Sequence, residues 1–228
     1  MKRVVTAQEM RDYERVRFQD GRASSLDWME RAEHGVDLLL QTRYPARRML
    51  CVCGTGNNGG DGFALLRMLS LRGVACAGVL LGNTEKLSGD ARTNYQRALD
   101  CNVAFYHALS DDLLQSYDVL VDAMFGTGLS RPLTGIYADA VQRMNASGKP
   151  IVAVDIPSGV DATNCAILGS AIHANNTATF EFYKRGQLLF PGRGLCGEVV
   201  VHPLSEEREL EQGDIVLFER EDVARLLP

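Results

Sequence analysis

Three short runs of this 228-residue chain set glycine beside side chains that bind or move charge. The first, Gly54-Thr55-Gly56-Asn57-Asn58-Gly59-Gly60-Asp61-Gly62, follows an apolar strand-like run and opens an amphipathic helical one. It contains G-x-G-x-x-G in strand-to-helix context, where backbone N–H groups at a helix N-terminus receive an anion, phosphate above all. The ordinary dinucleotide fingerprint also places an acidic residue ~20 positions on, at the end of the next strand. Here that strand ends Val79-Leu80-Leu81-Gly82-Asn83 without a carboxylate, which weakens an ordinary NAD-dependent dehydrogenase. Asn57, Asn58 and Asp61 add three hydrogen-bonding side chains to a loop that already has enough glycine to bend. One such residue is most simply a turn former; three beside a Gly pair mark a ligand site.

The second run is Val121-Asp122-Ala123-Met124-Phe125-Gly126-Thr127-Gly128-Leu129-Ser130-Arg131-Pro132. Asp122 sits inside an apolar stretch, where an unpaired carboxylate costs several kcal/mol, so a cation or several donors must stand beside it. The loop beyond it is another anion cradle, with Arg131 available for phosphate. The third run is Ile151-Val152-Ala153-Val154-Asp155-Ile156-Pro157-Ser158-Gly159-Val160-Asp161. Asp155 closes a β-branched strand and Pro157 stiffens the turn. Its carboxylate is expected to be rigid and partly desolvated, which suits a group that gives and takes a proton. On that reading Asp155→Asn lowers turnover and leaves the melting temperature nearly alone. The bland alternative for both aspartates is a turn cap. Ligands of open α/β sheets bind outside the carboxyl ends of the strands, so three such ends imply one shared cleft.

Strands and helices must alternate to bring these ends together. Apolar runs at 49–53, 74–81, 103–106, 118–124 and 150–154 read as strands buried on both faces, and helix-like spacing fills 60–72, about 89–99 and 135–146. Ahead of them, Thr6-Ala7-Gln8-Glu9 is a capping box that starts a charged helix running to about Asp20. Ser24-Ser25-Leu26-Asp27 starts a second helix, in which Leu26, Met29, Ala32, Val36, Leu39 and Leu40 share a face. Beyond Asp161, 177–182 and 197–201 alternate like strands, the charged stretch Ser205 to Asp214 follows, and 221–227 reads as a short terminal helix. This is the order of an α/β fold with a doubly wound, mainly parallel sheet of the Rossmann type. No repeat or boundary divides it, so 1–228 reads as a single domain.

With 24 basic and 29 acidic side chains the net charge is −5, which disfavours nucleic acid and anionic membranes as partners. No apolar run approaches the ~18 residues of a spanning helix and the N-terminus is charged, so no signal peptide and a cytoplasmic address are expected. Six cysteines without a C-x-x-C pair suit reduced, buried thiols. Tyr137, Thr179 and Lys184 are weaker candidates, because a tyrosine on a helix face is ordinarily core edge and a lone lysine is ordinarily solvated. His34, His107, His173 and His202 lack metal-ligand spacing.

The runs GNNGGDG (56–62), DAMFGTGLSRPLTG (122–135) and VDIPSGVDA (154–162), in this order and spacing, resemble the NAD(P)HX epimerases, the YjeF N-terminal domain family. The likeness extends to 6–10, 26–32, 178–180, Lys184, Gly186 and 197–200. It implies a Rossmann-like three-layer α/β/α sandwich, usually a homodimer, that interconverts the R and S forms of hydrated NADH and NADPH. In that nucleotide repair an ADP- or ATP-dependent dehydratase completes the work. By the same resemblance Asn57, Asn58, Gly59, Gly60, Asp61, Gly126, Thr127, Gly128, Leu129, Ser130, Arg131, Pro132 and Asp155 would contact the hydrated nucleotide. Asn58, Asp122 and Ser158 would hold a potassium ion, which takes oxygen ligands and would neutralise Asp122. The substrate hydroxyl stands on a ring carbon next to nitrogen. Inversion therefore goes by reversible loss of water through an iminium or by ring opening and reclosure, and either asks for a group that both donates and accepts a proton. Asp155 is the choice.

Two stretches depart from the family's usual pattern: Glu33 stands where a Gly commonly follows the Met-Glu-x-Ala run, and Asn164-Cys165-Ala166-Ile167 replaces a Gly-containing turn. The residues Glu221 to Pro228 resemble the lead-in to the dehydratase domain of two-domain relatives. The alternative is a non-catalytic nucleotide-binding or dimerising scaffold of the same fold. Degraded loops would mark it, yet Asn58, Asp122, Asp155 and Ser158 are all present. A short-chain oxidoreductase needs a Tyr-x-x-x-Lys pair that the chain lacks.

Overall fold

The computed structural model describes residues 2–19, 21, 24–205 and 215–226. The elements β1 (Lys2–Val5), α1 (Ala7–Gln19) and α2 (Ser25–Arg43) lead into the alternating part. There follow β2 (Met49–Cys53), α3 (Asn57–Leu71), β3 (Cys76–Leu80), α4 (Gly89–Asp100), β4 (Ala104–Tyr106), α5 (Asp111–Gln115), β5 (Val119–Ala123), α6 (Ile136–Ala146) and β6 (Ile151–Val154). The chain closes with β7 (Asn176–Phe180), β8 (Tyr183–Lys184), β9 (Glu198–His202), β10 (Val216–Leu217) and α7 (Arg220–Leu226). The charged stretch expected up to Asp214 lies, from 206 on, outside the described residues, as do 227 and 228. No helix among the described residues is long and apolar enough to cross a membrane.

Seven strands form one sheet in the order β4-β3-β2-β5-β6-β7-β9, every neighbouring pair parallel. Successive strand residues point to opposite faces, and both faces are covered. Cys51, Cys53, Val121, Val152 and Val154 pack with apolar residues of α1, α2, α3 and α4, whereas Leu50, Val52, Leu120 and Ile151 pack with α5 and α6. Burial on both sides is why these strands read as unbroken apolar runs. The order reverses between β2 and β5, where a crevice opens at the carboxyl end of an open α/β sheet. The three glycine-rich runs leave the ends of β2, β5 and β6, which are adjacent.

Both capping boxes form. The Thr6 N–H donates to Glu9 Oε2 at 2.6 Å and the Glu9 N–H to Thr6 Oγ1 at 3.1 Å; Ser24 and Asp27 make the same exchange. Helix α3 starts earlier than the spacing predicts, at Asn57 and not at 60, so the Asn-Asn-Gly-Gly run is itself its first turn. Glycine is required inside that turn, because a Cβ on Gly59 would stand 2.0 Å from the Gly54 carbonyl oxygen. A small second sheet, β10-β1-β8, is new relative to the sequence, since strands of two to four residues show no period. Its register sets Val5 beside Lys184.

Helix α2 buries the expected apolar stripe and, within it, Glu33 and Asp37. Glu33 Oε1 accepts from Arg67 Nη2 at 2.9 Å, Arg67 also reaches Glu30, and Asp37 pairs with Arg72. Both carboxyls therefore tie α2 to α3, and the family's usual glycine position has become a polar joint. Burial pushes the Glu33 carboxyl up to about 8 in spite of the Arg67 guanidinium. With the folded value above the ordinary 4.5, this group favours folding while protonated and withdraws stability as pH rises through about 8. Thermal melts at about pH 6 and about pH 9 are expected to show a larger loss for the native chain than for Glu33→Gln, whose amide does not titrate.

Candidate active site

At the end of β2 the Gly54 N–H donates to the Ala123 carbonyl, which fastens the first loop to β5. Helix α3 then begins with no acidic residue in its first turn, so its free N–H groups and dipole stay available to an anion. Asn57 is exposed and Asn58 half-buried. Both are helical, so the left-handed turn role is not theirs. Asn58 Nδ2 is buried without a partner. A buried amide with nothing to donate to is uncommon enough to mark a ligand position.

Asp122 is fully buried on β5. Three donors surround it: Oδ1 accepts from Ser158 Oγ at 2.6 Å and the Met124 N–H at 3.2 Å, and Oδ2 accepts from the Ser158 N–H at 2.7 Å. Ser158 Oγ in turn accepts from the Phe125 N–H at 2.9 Å. These bonds lower the carboxyl, yet burial dominates and pushes it up to about 6. Several donors, rather than a lysine or arginine, thus answer the expectation for Asp122.

Asp155 follows β6 in the left-handed region, φ +66°. Non-glycine residues seldom adopt it, and the position holds because its surroundings over-determine it. The Asp155 N–H donates to the Ala178 carbonyl at 2.7 Å and Gln187 Nε2 donates to the Asp155 carbonyl at 2.6 Å. The carboxylate bridges the cleft: Oδ2 accepts from the Thr127 N–H at 3.0 Å, and Oδ1 lies 2.7 Å from Lys184 Nζ. Lys184 is 1% exposed and donates also to Thr179 Oγ1 and the Phe180 carbonyl. A Cβ on Gly126 would stand 2.6 Å from Asp155 Oδ2 and 2.9 Å from Asn58 Oδ1, so the second loop touches both other loops. Gly128, Ser130, Arg131 and Pro132 are exposed on the rim, and Leu129 packs against the core beside Phe125 and Tyr137.

Residues 25–186 match the family described as YjeF-related protein N-terminus. The chain belongs to this family. An NAD(P)H-hydrate epimerase of Limosilactobacillus fermentum is 37% identical over 199 residues, covering 86% of this chain and 94% of that protein. One of Oenococcus oeni is 42% identical over 175 residues, 76% and 82% of the two chains. A bifunctional NAD(P)H-hydrate repair enzyme of Thermofilum pendens is 41% identical over 184 residues, and there the match spans 78% of this chain but only 35% of the relative. The crystal structure of a yeast protein superimposes with a TM-score of 0.75 at 19% identity over 87% of each chain, which speaks for the fold.

In this YjeF-type domain one sequence reading of a side chain's setting needs correction. Lys184 is not solvated but buried against Asp155, and Thr179 of β7 accepts from Lys184 Nζ at 2.8 Å and lies 3.5 Å from Asp155 Oδ1. The signal was its position among Phe180, Phe182 and Tyr183, an apolar setting in which a lysine must find an anion. Of two further carboxyls, Asp61 stands among the expected ligand contacts and Glu14 had no signal in the sequence. Asp61 on α3 is pushed well up by burial and then by the charge of Asp155, and Glu14 on α1 is pushed up to about 7 by burial and the same charge, with Lys184 opposing in both.

The ion pair also corrects the expectation that Asp155→Asn leaves melting unchanged, because it strands a buried ammonium. Lys184→Met alone is expected to destabilise by about 3–5 kcal/mol, the usual cost of leaving one buried charge unpaired. Asp155→Asn combined with Lys184→Met is expected to recover most of that in denaturant titrations, since no charge is then left alone.

Proposed function

We propose that this chain is an NAD(P)H-hydrate epimerase, interconverting the R and S forms of hydrated NADH and NADPH as a step of nicotinamide nucleotide repair in the cytoplasm. The observation that carries the reading is the Asp155 carboxylate, fixed between the Thr127 N–H and Lys184 at the crevice into which the acid-free N-terminus of α3 opens. Phosphate groups suit that N-terminus and the exposed Arg131 on the rim. Asn57 to Asp61 and Gly126 to Pro132 would then hold the nucleotide, with Asp155 at the hydroxylated ring carbon, and the names of the Limosilactobacillus and Oenococcus relatives support this substrate. The Thermofilum relative's bifunctional repair title supports a working partnership with a dehydratase, and the family resemblance favours a homodimer.

A potassium ion at Asn58, Asp122 and Ser158 belongs to the same proposal. The residues fit it: the acceptors are all oxygens, Asp122 has no cationic side chain beside it among the described residues, and the Phe125 carbonyl lies 3.2 Å from Ser158 Oγ. The ion would supply the missing countercharge and stiffen the loop that carries Gly126.

Two measurements test these assignments. A single purified epimer of hydrated NADPH, followed by NMR, is expected to relax to the R/S mixture far faster with the protein than without it. Asp155→Asn/Lys184→Met, folded but without the acid–base group, is expected to be slower by roughly a hundred- to ten-thousand-fold; an undiminished rate removes Asp155 from the mechanism. For the ion, replacing tetramethylammonium with potassium is expected to raise the melting temperature of the native chain by ligand linkage. Asp122→Ala should lose that increment, and equal melting in both salts argues against the site.

A further inference from the structure

We infer that Glu14 of α1 is a second acid–base group of the epimerisation, acting with Asp155 on the same ring carbon; the inference rests on the epimerase reading. Helix α1 buries Ala7, Met10, Tyr13 and Arg17 against the domain, and Glu14, four residues after Met10 and three before Arg17, is half-buried on the same face. Ala7 packs in one apolar cluster with Ile156, the residue after Asp155, and its N–H donates to Thr163 Oγ1. The neighbouring Tyr13 hydroxyl donates to Glu181 Oε1, two residues from Thr179. The start of this face therefore lies against the turn that carries Asp155, and Glu14 is its acidic member. The groups that face Glu14 are Asp155 after β6, Lys184 on β8, Asp61 on α3, and Arg11 on its own helix.

Glu14 accepts no hydrogen bond and forms no ion pair among the described residues, although it is half-buried. Asn58 Nδ2, in the first turn of α3, is likewise buried without a partner. Burial and the charge of Asp155 push the Glu14 carboxyl up to about 7, so it carries a proton through much of the neutral range.

Inversion at a planar iminium requires water to leave from one face and return to the other, and a single carboxyl serves one face. In one direction the Glu14 carboxyl gives its proton to the ring hydroxyl. The carbon–oxygen bond breaks, water departs with the bonding pair, and the nitrogen lone pair forms the carbon–nitrogen double bond of the iminium. A second water then adds to the opposite face; its oxygen pair forms the new bond, the double-bond pair returns to nitrogen, and Asp155 takes the released proton. One water has left, one has entered, and the proton has passed from Glu14 to Asp155. The swapped protonation state catalyses the reverse conversion.

The test uses the full chain, separated epimers of hydrated NADPH and NMR detection between about pH 5.5 and 9. Glu14→Gln is expected to lose roughly a hundred- to ten-thousand-fold in rate in both directions, with KM and melting temperature close to native. The native rate should fall as pH rises through about 7, where Glu14 loses its proton, and the residual rate of Glu14→Gln should lack that fall. Glu14→Asp, which retains a carboxyl, should recover part of the rate and the alkaline fall; it also serves as the test if the glutamine variant does not fold. A native-like rate in Glu14→Gln, or an unchanged alkaline fall, overturns the role of Glu14 while leaving the epimerase reading intact. A native chain that does not interconvert the epimers overturns both.

Discussion

The contact between Asp155 and Lys184 holds the working end of this domain together. Its two charges come from the end of β6 and from β8, and the ammonium also takes oxygens of Thr179 and Phe180 on β7. Gln187 closes the ring, accepting from the Lys184 N–H and donating to the Asp155 carbonyl. Such a set of bonds offsets the ~1–2 kcal/mol that a left-handed non-glycine residue costs. It also sets where the rest can lie. Lys184 is in register with Val5 of β1, and β1 leads directly into α1, so the lysine that orients Asp155 also fixes the approach of Glu14.

Around that pair the crevice divides its labour by charge. On β5 and the turn after β6, Asp122 and Ser158 form a fully buried oxygen-rich pocket with no cationic side chain beside the carboxylate among the described residues. Toward α1 and α3, burial and then the charge of Asp155 push the Asp61 and Glu14 carboxyls up, with the Lys184 ammonium opposing in both. The first arrangement suits a fixed cation and the second suits proton exchange. Gly126 borders both, because its missing side chain leaves room for Asp155 and Asn58 together.

The large sheet was readable because β2 to β6 are apolar runs separated by helical periods and β7 and β9 alternate like strands; the observed bounds differ from the expected ones by a few residues. The three loops were readable too, since glycine, asparagine and aspartate crowd where a plain turn needs only glycine. What escaped had no periodic signature. A two-residue strand such as β8 repeats nothing, and Lys184 gains its meaning only from Asp155, 29 positions earlier in the chain. Glu14 sits on a helix whose charged residues look solvated until β1 and the second sheet are known to press one face inward. The buried acids of α2 escaped for a like reason, as their partners Arg67 and Arg72 belong to α3 and its end.

The parallel pairing has a consequence for how the chain acquires its shape during synthesis. Met49 must wait for Val119 before β2 and β5 can join, and Val5 has no partner on β8 until Tyr183 and Lys184 have emerged. Long-range closures of this kind are slow to form, and the segments left waiting expose apolar surface and unpaired backbone meanwhile. A nascent chain halted between β7 and β8 would hold most of its large sheet, yet Asp155 would have no countercharge and β1 no neighbour in β8. Such a product is expected to be sticky and short-lived, because the apolar surface and backbone groups that β8 covers stay open until it emerges.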